Sequence, residues 1–457
     1  MNKTHILFVI GCLFLRTTCY AQQAQPPSAP SVSSQEPWLI TIPEGIRLVM
    51  KDSRLLKISL ADKDMVFADS LMARSVLLPQ LNATVNESFL KFQPTAKSGG
   101  TRMPTGERQS ISYGFDVYQT LFDFGKAISN YRAAQELFNA GILNTERVRK
   151  LAVLEFVIAY FDVLQAEKLI QVAQKEAESL TAYLHDVEHL YEQGVAIKND
   201  LLPAQVRLAD AKQKLIVARN IRETSTAKLN NIMGLPIREK LRVEDIQMSA
   251  PSVPELEDAW HIAQAQRPEI TIISDQLKAS ALREKSKIAD HYPTLYARGG
   301  YAYTENIYQV HQDNMNLNLG AKMDVFDGGF TQAEVYKERS RHKGLQEQRD
   351  KLIEDIKLEI EDSYLGLNDA KEKVSVARDA LKQAEENVRV MRVKYAEGEA
   401  TSTDVLEAIT LQTNAQTNFH NADYELKRNY AKLMYSMGID LALIYDTIKF
   451  NEDKSKQ

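Results

Sequence analysis

Two histidines one helical turn apart, His185 and His189 in the stretch HDVEH, are the residues most suggestive of metal chemistry. Zinc proteases carry H-E-x-x-H on a helix, with the glutamate as general base. Here the second position is Asp186, and no clear third ligand follows, although a catalytic zinc site needs about three protein ligands. The polar surface of a solvated helix explains the pair better, so neither a metal nor a cofactor is expected.

Patterns typical of enzymes are also missing from the rest of the sequence. It contains no glycine-rich phosphate loop, no Ser-His-Asp order and no pair of carboxylates placed for general acid and base chemistry. An enzyme is therefore not expected.

The acidic residues Asp404 and Glu407 follow a run of hydroxylated side chains in YAEGEATSTDVLEA, residues 395–408. Their spacing predicts a capping box, with Asp404 as the N-cap of a helix and Glu407 reaching back to it. Asp200 permits the same interpretation in the similar stretch YEQGVAIKND, residues 191–200. Since such boxes usually mark the start of a helix, the residues by themselves favour the cap.

Composition and the first residues indicate an exported protein. Of the 457 residues, 26% are charged, which excludes a polytopic helical membrane protein. The net charge of −5 gives no excess of basic residues for binding nucleic acid. Residues 1–21 are predicted to be a signal peptide cut after Ala21, since their apolar stretch is shorter than the ~20 residues of a membrane anchor. Lipoprotein processing at Cys12 is another alternative. Cys12 and Cys19 both lie in this segment, so the mature chain is expected to lack disulfides.

The mature chain contains two copies of one unit. Phe122 of LFDFGK and Phe326 of VFDGGF lie 204 residues apart (326 − 122 = 204). The two acidic stretches quoted above differ by the same shift, and a chance likeness between two helical tracts would not keep one register over that span. The pairs in this register include Tyr191 and Tyr395, Gly194 and Gly398, Asp200 and Asp404, and Gly234 and Gly438.

The register changes once, upstream of the Phe-Asp motifs. Pro79 and Pro293 are 214 residues apart, so the first copy has ten more residues between its proline and its Phe-Asp pair (214 − 204 = 10). The polar stretch PTAKSGGTRMPTGER, residues 94–108, is predicted to hold them as a long surface loop.

Each copy also contains two segments in which polar and apolar residues alternate, most clearly at 110–121 and 314–325. Period-two alternation predicts strands, so hairpins are expected at about 80–122 and 294–326. About 9–11 residues suffice for a tilted strand to cross a bilayer. Four strands cannot close a barrel, and an open sheet edge cannot face lipid. Several copies of the chain must therefore contribute their strands to one barrel.

Long stretches without proline predict the helices. Residues 126–193 and 330–397 would each give about 68 residues (193 − 126 + 1), which is roughly 100 Å of helix. The other helical tracts are about half as long, at 200–233, 257–290 and 404–437. Two half-length helices placed end to end match one long helix. A Pro-rich linker at 236–256 separates the copies.

These features together resemble the TolC-like outer membrane efflux protein family from about Pro43 to Asp440. The resemblance rests on LLPQL, LFDFGK, VFDGGF, the two acidic stretches and IMGLP in their duplicated order. It implies a mainly α fold with a transmembrane β-barrel. It also implies a homotrimer. Its twelve-stranded barrel would lie in the bacterial outer membrane and continue into a twelve-helix tunnel through the periplasm. The implied organisation is a signal peptide at 1–21, a linker at 22–42, repeats at 43–235 and 257–440, and a tail at 441–457.

The resemblance implies a passive exit duct of a tripartite efflux or type I secretion system. The implied partners are a periplasmic adaptor, an inner-membrane pump of RND or ABC type, and outer-membrane lipid. The positions implied for adaptor docking at the helix tips are Gly194, Val195, Ala196, Gly398, Glu399, Ala400 and Thr401. Asp404 and Glu407 match acidic positions at the closed entrance, and Tyr395 with Asp200 matches an aromatic–acid tie. The resemblance implies that three copies bring these like charges together in a ring, which would raise some carboxyl pKa values and favour cations, while the cap interpretation holds beside it. Ala400 and its neighbours include no arginine, although the best-known member has one just after the second tip glycine, so the closing network must differ in detail.

The alternative is an exported trimeric coiled-coil scaffold or adhesin of the cell envelope without channel activity. It accounts for the helices and the export but leaves the four alternating strands unexplained. The sequence does not identify the cargo as a drug, a metal ion or a protein, because in this family the pump usually selects it.

Overall fold

The computed structural model describes residues 38–194, 197–246 and 253–446. The predicted signal peptide with both cysteines, most of the N-terminal linker, and the tip residues Val195 and Ala196 lie outside the described residues. The chain divides into two units, Met1–Trp38 and Leu39–Gln457, and the helices and the main sheet belong to the second. Across the described ranges, no helix combines the length and the apolar character needed to cross a membrane.

Helices and strands follow one another along the described chain. The strands are β1 Trp38–Ile40, β2 Gln80–Phe89, β3 Thr95–Ser98, β4 Thr101–Pro104, β5 Gln109–Phe122, β6 Leu241–Val243, β7 Thr294–Thr304 and β8 Asp313–Lys322. The helices are α1 Ile42–Asp52, α2 Arg54–Ser75, α3 Lys126–Glu192, α4 Lys198–Met233, α5 Leu256–Gln266, α6 Pro268–Ala289, α7 Phe330–Ala396 and α8 Ser402–Ser436. Residues 441–446 are also helical.

Two long helices organise the helical layer. α3 and α7 have 67 residues each, about 100 Å at 1.5 Å per residue. The shorter α2 and α4 both pack against α3, while α6 and α8 each contact both α3 and α7. The layer therefore has α2 and α4 at one edge and α7 at the other.

The helical tract before the second hairpin is broken at Arg267, so the prediction of one helix over 257–290 was wrong. Arg267 is extended (φ −76°, ψ 116°) between α5 and Pro268, the first residue of α6. A proline ring drives the preceding residue out of the helical region, and proline is well accepted at the start of a helix. Arg267 is buried and donates to the Glu359 carboxylate and to the carbonyl oxygen of Ser436, which ties the break to α7 and α8.

Four antiparallel strands form one sheet in the order β2-β5-β7-β8. Nearly every register pair joins residues of the same parity, so odd-numbered residues share one face and even-numbered residues the other. The odd face is mostly apolar and includes Leu81, Val85, Phe115, Val117, Tyr301, Met315, Leu317 and Leu319. The even face is mostly polar and includes Asn82, Thr84, Asn86, Ser112, Asp116, Arg298, Asn316 and Asn318. The alternation predicted from the sequence is confirmed.

The stretch 94–108, predicted as a loop, contains a second and smaller hairpin. β3 and β4 pair across Gly99 and Gly100, whose φ values are 55° and 90°. Two successive residues with positive φ suit a tight hairpin turn whose twist matches that of the strands. The loop prediction was wrong because the Gly-Gly turn lets the flanking residues pair.

The main core surrounds the middle of α3. Phe156, Tyr160 and Phe161 are fully buried there, against side chains from α7, α8 and β6. The Tyr160 hydroxyl lies 3.0 Å from the carbonyl oxygen of Ile40 and 2.6 Å from that of Glu244. The pair of short strands β1 and β6 is thus held against the long helix.

Candidate functional site

Each long helix ends in a glycine with a left-handed backbone, Gly194 (φ 74°) after α3 and Gly398 (φ 79°) after α7. The amide of Gly398 donates to the carbonyl of Tyr395 (3.1 Å) and that of Glu399 to the carbonyl of Lys394 (2.8 Å). These two bonds form a Schellman motif, which satisfies the last carbonyls of a helix. A Cβ on either glycine would meet nothing within 4 Å, so backbone conformation rather than crowding favours glycine.

α8 begins with a capping box formed by Thr401 and Asp404. The Thr401 hydroxyl accepts the amide of Asp404 (3.3 Å), and the Asp404 carboxylate accepts the amide (2.8 Å) and hydroxyl (2.6 Å) of Thr401. The prediction of Asp404 as N-cap, with Glu407 closing the box, was therefore wrong by one turn. Thr401 has the extended backbone of an N-cap (φ −91°, ψ 161°), and Glu407 is exposed outside the box.

α4 also begins about one turn earlier than predicted. Ile197 occupies the N-cap position with an extended backbone (φ −103°, ψ 162°). Its amide donates to the Asp200 carboxylate (3.3 Å), so Asp200 stands at the third helical position and is not the N-cap. Isoleucine has no side-chain oxygen, so the return bond made by the Thr401 hydroxyl has no equivalent at this tip.

The capping bonds favour the ionised form of Asp404. Hydrogen bonds from the hydroxyl and the amide of Thr401 lower the pKa of the Asp404 carboxyl from its ordinary value of 3.8. The expected rise in pKa concerns a ring of like charges from several copies, and it stays a prediction.

Behind the two tips, a buried hydrogen bond joins α3 to α8. The Tyr183 hydroxyl lies 2.6 Å from Oγ and 3.2 Å from the carbonyl oxygen of Ser402. Tyr183 is 6% exposed and Ser402 is 4% exposed. Burial raises the pKa of the Tyr183 hydroxyl above its ordinary value, so the hydroxyl stays protonated and donates. The Tyr395 ring of α7 packs against Tyr183, with ring centroids 5.8 Å apart.

The sequence does not predict this contact. Tyr183 occupies one more inward position of an amphipathic helix, and nothing in that pattern indicates a partner for its hydroxyl. The repeat also carries no signal, because Asn387 and Lys198 stand at the equivalent positions of the other copy (183 + 204 = 387; 402 − 204 = 198).

A cleft of about 770 Å³ lies between the two tips. Its lining includes Tyr183, Asp186, His189, Asp200, Arg392 and Tyr395. The structure thus brings the predicted tie residues, Tyr395 and Asp200, to one cleft. The Asp200 carboxylate is bonded to the Ile197 amide, and the Tyr395 ring packs on Tyr183. The direct tie between them stays a prediction.

Arg392 supplies a guanidinium close to the second tip, although none follows Gly398. It lies on the last turns of α7 and lines the same cleft. Its guanidinium donates to the Ser179 hydroxyl of α3. The tips of one chain are therefore joined by a polar contact on α7 as well as by the Tyr183–Ser402 bond.

The two histidines lie on α3 facing each other. Their Nε2 atoms are 3.1 Å apart, and His189 Nδ1 lies 3.8 Å from the Glu192 carboxylate. Among the described residues, no group of three or more His, Cys, Asp and Glu side chains is arranged to hold a metal ion.

The predicted docking positions that the structure describes are accessible. Gly194, Gly398, Glu399 and Thr401 are exposed, and Ala400 is half-buried. Asp404 and Glu407 are exposed beside them, so the second tip presents an acidic surface.

The described chain thus joins a sheet with one apolar and one polar face to two 67-residue helices, each followed by an exposed glycine turn. A family model described as outer membrane efflux protein matches residues 46–235 and 260–439. The chain therefore belongs to the outer membrane efflux protein family. Membership of this family places it in the outer membrane, with its helical part in the periplasm, as a duct for efflux or type I secretion.

Known proteins of the same kind are similar over most of their length. The outer membrane protein TolC of Escherichia coli K12 is 23% identical over 423 residues, which cover 86% of this chain and 82% of TolC. The pyoverdine export outer membrane protein OpmQ of Pseudomonas aeruginosa is 22% identical over 381 residues, 82% of this chain and 79% of OpmQ. The Campylobacter jejuni CmeC outer membrane channel has a similar structure, with a TM-score of 0.78, 16% identity and coverage of 87% of this chain and 85% of CmeC. Because the sequence identity to CmeC is only 16%, this structural similarity is evidence for the fold alone.

Proposed function

We propose that three copies of the chain form a passive channel through which an inner-membrane pump, coupled by a periplasmic adaptor, expels its cargo. The observation that carries the proposal is that both layers have open edges. β2 and β8 each have one strand neighbour in the main sheet, and the odd face beside them is exposed and apolar. An open edge with an apolar face is compatible with lipid only if another copy pairs with it.

The helical layer has matching open edges. Exposed apolar side chains lie on the edge helices α2, α4 and α7, including Ile58, Met65, Val206, Ile216, Tyr336 and Leu358. Joining the α2–α4 edge of one copy to the α7 edge of the next is a head-to-tail contact, which generates a closed ring when the rotation fits. The same rotation would pair β8 of one copy with β2 of the next.

The number of copies follows from the width of the barrel. The sheet has four strands per chain, so two copies would give eight strands and three would give twelve. Barrels of about eight strands have interiors that side chains fill or that hold one small ligand, and the diameter grows with strand number. Three copies therefore fit a water-filled path, with the apolar face towards lipid and the polar face towards the lumen.

The helix tips then form the periplasmic entrance. Asp404 and Glu407 from three copies would line it as an acidic ring that favours cations. Gly194 and Gly398, with the residues that follow each of them, would meet the adaptor. We assign the closed state to contacts near the two tips, namely the predicted Tyr395–Asp200 tie, the Arg392–Ser179 contact and the Tyr183–Ser402 bond.

The duplicated organisation is part of the proposal. Repeats at 43–235 and 257–440, joined by the linker 236–256, would each contribute one hairpin and one long helix to the ring. OpmQ is named for pyoverdine export and the relative PrtF of Dickeya chrysanthemi for secretion of proteases. We infer that the docking pump sets the cargo of this duct, and that the pump is of RND or ABC type.

The test is purification from outer-membrane detergent extracts, followed by planar-bilayer recording. We expect heat-resistant trimers with steady ion conductance. Val206→Glu places a charge on the α4 edge and is expected to shift trimers to monomers, whereas Gln205→Glu on the neighbouring exposed position is expected to leave them intact. A soluble particle without conductance would instead support the scaffold or adhesin.

A further inference from the structure

The polar face of the sheet carries only three charged side chains among the even-numbered residues of its four strands. They are Asp116 on β5, Arg298 on β7 and Lys322 on β8. The other even-numbered residues of these strands are neutral, mainly Asn, Ser, Thr, Gly and Tyr. The polar face therefore has a net charge of +1 per chain, opposite in sign to the acidic second tip.

Two of these charged side chains form an ion pair that is accessible to solvent. Arg298 Nε lies 3.5 Å from the Asp116 carboxylate, and their side chains are 57% and 24% exposed. Gly300 lies opposite Asp116 in the register, and a Cβ there would come within 3.2 Å of the Asp116 Cβ. The glycine thus leaves space beside the pair, in a hollow of about 400 Å³ that Asn316 and Asn318 also line.

An exposed pair of this kind stabilises a fold by little, since water screens it. Arg298 is the more exposed partner, and its one ion-pair contact in the described structure is through Nε. Because more than half of the Arg298 side chain is exposed, its remaining guanidinium N–H groups can pair with carboxylate or phosphate groups.

We propose that Arg298 and Lys322, partly offset by Asp116, form an anion-favouring band inside the barrel. This inference rests on the proposed trimer, in which the polar face lines the lumen. Three copies give the band a net charge of +3, while the entrance is acidic. Rings of basic side chains favour anions in pores as acidic rings favour cations. Cargo bearing carboxylate or phosphate groups would therefore be held transiently at Arg298.

The test is the reversal potential of reconstituted trimers in a potassium chloride gradient. Arg298→Gln changes the charge of the band from +3 to 0, and Asp116→Asn changes it from +3 to +6. Three charges ~10 Å from the lumen axis, screened by one Debye length at 0.1 M salt, change the local concentration of each ion about twofold. The permeability ratio of potassium to chloride is thus expected to rise about fourfold in Arg298→Gln and to fall about fourfold in Asp116→Asn.

Opposite shifts separate this role from a structural one, because a loss of packing would move both variants in the same direction. The double variant Asp116→Asn with Arg298→Gln restores +3 and is expected to return to the wild-type ratio. Arg102→Gln is the charge-matched control, because Arg102 lies on β4 of the small hairpin, outside the four-stranded sheet. Channels in which the two single variants shift the ratio alike, or leave it unchanged, would overturn the inference. Failure of the wild-type chain to form channels would overturn the proposed function itself and the inference with it.

Discussion

Tyr183→Phe removes one oxygen atom from the buried contact between α3 and α8. The ring and its packing against Tyr395 are kept, whereas the hydroxyl and carbonyl of Ser402 lose their contact with the Tyr183 hydroxyl. If the entrance opens by moving α7 and α8 away from α3 and α4, the Tyr183–Ser402 bond is broken in that step. The variant is therefore expected to favour the open state.

The expected size of the effect is that of one hydrogen bond lost from each copy. A typical intramolecular hydrogen bond contributes about 1 kcal/mol net, because the separated groups regain water. Three copies that open together would lose about 3 kcal/mol from the closed state, which is about a 150-fold shift in the opening equilibrium. If each copy moves independently, the shift is only about fivefold per copy.

Open probability in planar bilayers measures this shift directly, and thermal melting of the trimer reports separately on stability. Tyr191→Phe is the matched control, since Tyr191 lies on the same helix near the same tip but is 42% exposed. Ser402→Ala is expected to mimic Tyr183→Phe, and the double variant is expected to add little to either single change. Intact trimers of Tyr183→Phe that open no more often than those of Tyr191→Phe would refute the assignment of this bond to the closed state.

Two further predictions concern the second tip. Gly398→Ala places a Cβ on a left-handed residue (φ 79°), so we expect a loss of about 1 kcal/mol and a lower Tm. Gly344→Ala, in the interior of α7 with open space around it, is the control and is expected to raise the Tm slightly; equal changes in both variants would contradict this reasoning. Asp404→Asn is expected to speed amide hydrogen exchange at the start of α8. Folding lowers the pKa of the Asp404 carboxyl. The ionised carboxylate therefore stabilises the start of α8 fully above the ordinary pKa of 3.8, and this stabilisation is lost as the pH falls through the lower pKa of the folded state. The difference from wild type is therefore expected at pH 7 and vanishes in acid; Glu407→Gln, outside the capping box, is the control, and a difference that persists in acid would rule out the carboxylate as its cause.

The boundaries of the long elements could be predicted because they depend on local features. α3 and α7 end within one residue of the predicted 193 and 397, where a glycine takes the left-handed conformation that stops a helix. Alternation also predicted the sheet and its two faces. In contrast, the cap of α8 was placed one turn late, because Thr401, Ser402, Thr403 and Asp404 are all suitable N-caps and only backbone geometry distinguishes them.

By itself, the sequence determined the duplicated order of strands and long helices, the turn glycines and the alternation of the sheet, because each arises from residues close together in the chain. Only the tertiary structure decided which side chains meet across the tips. Tyr183 and Ser402 are 219 residues apart, and Arg392 and Ser179 are 213 apart. Such contacts depend on how α3, α7 and α8 pack against one another, and no local pattern encodes that packing. The same holds for Asp116 and Arg298, which lie on different hairpins and become neighbours only when β5 and β7 pair.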